Sequence, residues 1–163
     1  MNTQTNRKNE HVSLSENFYK DGDSSFKDVH FMHHSFPGIS VSDVTLSTNL
    51  DEMTFSAPFF INAMSGGSDW TGKLNQKLGV VARETGLAIA TGSISAGLKQ
   101  PEIQQSYKTI RQVNPNGLVL ANLGAGHDSE NAKRAIDMIQ ADALQIHINA
   151  PQEVVMPEGD RDF

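Results

Sequence analysis

The sequence predicts an α/β fold built on parallel strands. Three observations carry that prediction. Strand-like apolar runs alternate with stretches of helical spacing between Phe59 and Asn149, four runs in all. Each run ends in a cluster of Gly, Ser, Asn or a titratable residue, at the strand end where parallel α/β sheets bind their ligands. The turn after the first run, MSGGSDWTGKLNQ, lacks the GxGxxG spacing of a dinucleotide fingerprint, which favours a barrel over a doubly wound sheet.

The elements follow in order. Residues 1–55 are polar and irregular and read as an extension ahead of a domain at 56–163. Within the extension, NFYKDGDSSFKD groups Gly, Asp and Ser as a loop, and VHFMHHSFPGISVSDVTLST holds short β-like runs around a Pro-Gly turn. FFINAM is the first strand and SGGS its exit. TGKLNQKLGVVARETG places Leu74, Leu78, Val81 and Ala82 at helical spacing, with Gly86 as its stop. LAIATGS is the second strand. ISAGLKQPEIQQSYKTIRQVNP reads as a helix broken at Pro101, with Ile103, Tyr107, Ile110 and Arg111 on its later part. GLVLANLGAG is the third strand, and DSENAKRAIDMIQ is a helix capped by Asp128 or Ser129. ALQIHIN is the fourth strand, whose alternation puts Gln145, His147 and Asn149 on one face.

Composition narrows the function. Across 163 residues, 19 acidic against 13 basic side chains give a formal charge of −6, which argues against general nucleic-acid binding and against an anionic membrane surface. The absence of cysteine removes disulfides, thiolate nucleophiles and thiolate zinc sites. The N-terminus has no apolar signal core, and no apolar run approaches the roughly 20 residues that span a bilayer. A cytoplasmic protein is the expectation. His30, His33 and His34 cluster in HFMHHS, but no neighbouring carboxylate completes a structural metal set.

NRKNEH, INAMSGGS, ATGSISAGL, ANLGA and LQIHINAPQEVVMPEGDRDF, in that order along nearly the whole chain, resemble the N-terminal half of type 2 isopentenyl-diphosphate Δ-isomerase. The resemblance implies a TIM (β/α)8 barrel, with this chain covering the N-terminal extension and about the first four strands, and therefore inactive alone. It implies isomerisation of isopentenyl diphosphate to dimethylallyl diphosphate with reduced FMN and Mg2+, NADPH as the flavin reductant, and a homo-oligomer at full length. By the same resemblance Ala63, Met64, Ser65, Ser93 and Asn122 contact FMN. Arg7, Lys8, Ser93, Ile94, Ser95 and Gln152 contact the substrate, with His11 assisting in the same arm; Gln152 and His147 stand near the reacting carbons, and Glu153 binds Mg2+. Many relatives carry Thr in place of Ser65 and a basic residue in place of Ser95. Two other readings compete. One is an FMN-dependent oxidoreductase on the same barrel, which the Arg-Lys and Gln-Glu pairs do not support. The other is a non-catalytic, truncated half-barrel.

Overall fold

The computed structural model describes residues 3–20, 22 and 25–156, without the side chains of residues 3–7 and 152. The chain begins with helix α1 (Thr3–Phe18), followed by an antiparallel hairpin of β1 (Thr48–Leu50) and β2 (Met53–Phe55). Helix α2 (Asp69–Thr85) leads to β3 (Ile89–Ala90), and the broken helix follows as α3 (Ser95–Lys99) and α4 (Gln105–Val113) with a 3-10 turn at Pro101–Ile103 between them. Then come β4 (Val119–Gly124), α5 (Ser129–Ile139), β5 (Ala143–His147) and α6 (Ala150–Val155).

Three strands form a parallel sheet in the order β3-β4-β5, and Ile61 adds a single parallel bridge to Ile89 beyond β3. The expected run FFINAM is thus reduced to one bridged residue. The expectation of half a TIM barrel is corrected: the described strands make one two-stranded and one three-stranded sheet, and no barrel closes. Closure needs a ring of tilted, continuously paired strands, whereas this sheet pairs through two residues at β3 and leaves β5 paired only to β4.

Local chemistry explains the helices. Ser68 caps α2 by accepting the Thr71 N–H at 3.1 Å, and Thr71 returns the bond to the Ser68 N–H at 3.0 Å, a reciprocal cap. Gly86 ends the helix at φ 70°, a left-handed position glycine adopts without strain. Asp128 caps α5 through the Asn131 N–H at 2.8 Å. The face that α2 buries is only in part the apolar one expected: Thr71, Asn75, Gly79 and Ala82 are buried and Leu78 packs on the core, while Val81 is exposed. Small residues win because α2 lies close against α4, where a Cβ on Gly72 would stand 3.2 Å from the Ser106 Cα.

The core lies between the sheet and α2, α4 and α5, built by Ile89, Ile94, Tyr107, Ile110, Val119, Leu123 and Ile139. Burying each such side chain contributes on the order of 1.5–3 kcal/mol. Alternation along β4 sends Val119, Ala121 and Leu123 into this core, so Asn122 faces the other way.

The extension departs most from expectation. Residues 3–18 form a helix although its apolar residues, Val12, Leu14 and Phe18, make no stripe. The β-like segment around Pro37-Gly38 is loop with a 3-10 turn at Val41–Asp43, and Phe31, Met32, Phe36 and Val41 project into solvent.

Candidate functional site

Four chain segments meet at the C-terminal end of the parallel sheet. The first is the Ser65–Ser68 loop. Gly66 (φ 146°) and Gly67 (φ 99°) take conformations that side chains resist, and the Tyr107 ring fills the space beside Gly66 so closely that a Cβ there would lie 2.1 Å from it. Burial pushes the Tyr107 phenol far up, so it stays neutral and donates to the Ser93 carbonyl at 3.0 Å. Ser65 turns inward and donates to Asn75, whose amide also donates to the Ser65 and Ser106 carbonyls at 3.2 and 2.8 Å. Helix α1 docks on the same loop. Ser68 Oγ donates to Asn9 Oδ1 at 2.6 Å, and the Lys8 stem passes 3.5 Å from the place a Gly67 Cβ would take.

The second segment follows β3. Ser93 and Ser95 hydroxyls lie 3.0 Å apart, and Ser95 Oγ is 2.7 Å from His127 Nε2. The third follows β4 and brings His127 itself. The fourth is the end of β5 with α6, carrying Gln145, His147 and Glu153.

A row of amides crosses the sheet face opposite the helices. Asn122 Nδ2 donates to Gln145 Oε1 at 2.9 Å, and Gln145 Nε2 donates to Asn62 Oδ1 at 3.1 Å. That leaves Asn122 Oδ1 to accept from His147 Nδ1 at 2.8 Å. With this assignment the His147 proton sits on Nδ1 and Nε2 carries a lone pair. His147 is held below the ordinary imidazole range, chiefly by burial and further by Lys8 and His127; the Glu153 carboxylate and a backbone bond at Leu123 pull the other way. Lys8, His127 and Glu153 are thus the side chains whose charge bears on His147.

The structure therefore gathers Lys8, Ser93, Ser95, Asn122, His147 and Glu153 from the expected set. Ile94 is not at the surface of the site: it is fully buried in the core. Ser65 is likewise withdrawn, its hydroxyl spent on Asn75, while Met64 is exposed and Ala63 half-buried. Arg7 and Gln152 fall on α1 and α6, but their side chains lie outside the described residues, as do residues 157–163. His11 is on the exposed side of α1. Sequence reasoning missed His127, Asn75 and the positional role of Tyr107. For His127 a signal existed: it follows the Gly-rich end of the third strand-like run.

Cofactor fit divides the donors. A magnesium ion commonly takes one or two carboxylates with substrate phosphate oxygens and waters, a set that Glu153 alone can begin; among the described residues no group of three His, Cys, Asp or Glu could make a full protein cage. Of the expected flavin contacts, Met64 is exposed and Ala63 and Ser93 are half-buried, whereas Ser65 and Asn122 are buried with their polar atoms bonded to Asn75, Gln145 and His147.

A parallel α/β unit with a lysine, hydroxyls, imidazoles and a carboxylate at its strand ends is the class these observations define. No family model matches the chain. Over 157 residues it is 46% identical to proteins of Staphylococcus aureus strain JH9 and strain Newman named isopentenyl-diphosphate delta-isomerase. The match covers 96% of this chain and 45% of each relative, so the chain spans about half the length of the curated relatives it matches. The narrower expectation, the N-terminal half of an FMN-dependent type 2 enzyme, is corrected. The relatives' names give neither a type nor a flavin, and the strands close no barrel. What stands is similarity to isopentenyl-diphosphate isomerases in general. Among the described residues no helix is long and apolar enough to cross a membrane.

Proposed function

We propose that the protein acts in the isomerisation of isopentenyl diphosphate to dimethylallyl diphosphate, with the diphosphate held at the C-terminal end of the parallel sheet. The observation that carries this reading is the convergence of Lys8, Ser93, Ser95, His147 and Glu153 there, in a chain similar to proteins of that name. Residues 1–55 act as an arm that brings Lys8, with Arg7 beside it in sequence, to the site built by 56–163.

The reaction moves a proton pair: the C3–C4 double bond gains a proton and C2 loses one. Lys8 offsets part of the diphosphate charge and fixes the allylic carbons in place, and Glu153 would hold an Mg2+ ion that would supply further positive charge beside the phosphate oxygens. Ser93 and Ser95 offer hydroxyls to its oxygens. His147 is neutral in this setting, so Nε2 can accept a proton and has none to give. FMN, kept reduced by NADPH, is the proposed cofactor, and Ala63, Met64 and Ser93 would contact it; when bound it would supply acid–base chemistry beside the double bond.

The test is isomerisation of isopentenyl diphosphate by the purified protein with Mg2+ and reduced FMN, for wild type and Glu153→Gln. The variant keeps shape and removes the charge, and a fall of about 100-fold with a lost Mg2+ requirement is expected. Unaltered Mg2+ dependence would remove Glu153 from the metal role.

A further inference from the structure

We propose that His127 is a positioning residue of this site, holding the Ser95 hydroxyl, and through it Ser93, in the orientation that receives a diphosphate; this rests on the function proposed above. Three observations support it. His127 Nε2 is 2.7 Å from Ser95 Oγ, across 32 residues of sequence, and Ser95 Oγ is 3.0 Å from Ser93 Oγ. The loop that carries His127 is itself fixed, because the Ala125 N–H donates to the His147 carbonyl at 3.1 Å and the His127 N–H donates to the Gly124 carbonyl at 3.3 Å. Finally, the loop lies beside His147, whose Nε2 is 3.6 Å from the place a Gly124 Cβ would take, so His127 stands at the same strand ends.

The chemistry is specific. A serine hydroxyl rotates freely and can donate in any direction unless something accepts or donates to it. Tied to an imidazole on one side and a second hydroxyl on the other, Ser95 has its rotor fixed before a ligand arrives. Such preorganisation lowers the ordering cost of binding an oxyanion. The ring stays half-buried.

The experiment compares wild type with His127→Phe, His127→Ala, His127→Gln, Ser95→Ala and the His127→Phe/Ser95→Ala double variant. Binding of inorganic pyrophosphate is measured by calorimetry, and KM and kcat for isopentenyl diphosphate in parallel. Phe keeps a ring without nitrogen, Ala serves if Phe overpacks the loop, and Gln restores a nitrogen and an oxygen within reach. Expected is about tenfold weaker pyrophosphate binding and a matching rise in KM for Phe and Ala. Gln should recover most of the loss, and the double variant should bind no worse than Ser95→Ala, because coupled residues are not additive. Wild-type binding in both His127→Phe and His127→Ala, fully additive losses in the double variant, or a wild type that does not bind pyrophosphate would each overturn the assignment. A wild type that shows the binding pattern but no isomerisation would overturn the proposed function and leave His127 standing.

Discussion

The two ends of the parallel sheet are both polar, but they spend their polarity differently. At the N-terminal end, Arg111 donates to the carbonyls of Gly117 at 2.8 Å, Pro115 at 3.2 Å and Gln140 at 2.7 Å, and pairs with Asp142 at 2.7 Å. The same Asp142 oxygen accepts the Val119 N–H at 2.8 Å. A planar fork with five donors is saturated by backbone carbonyls and one carboxylate, which locks the α4–β4 and α5–β5 connections together. At the C-terminal end the side chains bond mainly to one another: Ser93 to Ser95, Ser95 to His127, Asn122 to His147. Bonds between side chains can be exchanged for bonds to a ligand without breaking the backbone frame. The difference separates an end that holds the fold from an end that can bind.

Substitutions should break that comparison in graded ways. The largest effect is expected from Gly66→Ala, which forces a side chain into φ 146° and against the Tyr107 ring. Backbone strain and overpacking together predict a loss of about 2–5 kcal/mol, read by denaturant unfolding. Arg111→Ala should cost about 2–3 kcal/mol by releasing several charge-assisted bonds, yet leave pyrophosphate affinity in the folded protein unchanged. Lys8→Ala should do the reverse, with about tenfold weaker pyrophosphate binding and a stability change within about 0.5 kcal/mol. If Arg111→Ala weakens binding as much as Lys8→Ala does, the two ends are not separate.

The smallest effect concerns pH. The His147 pKa is lowered on folding, so below the unfolded value of about 6.5 the unfolded chain takes up its proton first. Stability from this group is therefore complete above about pH 6.5 and falls on acidification toward the lower folded value. His147→Gln should flatten the slope of stability against pH just below about 6.5. An unchanged slope would show that His147 is not held neutral by its surroundings.

Local signals were legible where a side chain acts on its own backbone. The Gly86 stop of α2, the Asp128 cap of α5 and the break at Pro101 all stand where the residues place them. The parallel pairing of the later strands was legible too, from apolar runs separated by helices. What escaped was decided by tertiary contact. Helix α1 has no stripe to reveal it and is held where Asn9 meets Ser68. The buried face of α2 is small rather than apolar because α4 approaches so closely. The barrel was inferred from the missing GxGxxG fingerprint and from likeness, and the strand pairing does not follow it. Lys8, Ser93, Ser95, Asn122, His147 and Glu153, which the structure places at the C-terminal end of the sheet, were named from the resemblance, and their roles are proposals. Burial of Ile94 and the inward turn of Ser65 could not be read in advance, since Asn75 and the core claim them across the chain.

The most direct test of the central claim is a titration of 15N-labelled protein with isopentenyl diphosphate and Mg2+, followed by amide shifts. The account predicts movement at Gly66, Gly67, Ser95, His127 and Glu153, and none at Gly117, Gln140 or Asp142. Shifts confined to the Arg111 end, or none at either end at saturating ligand, would contradict it.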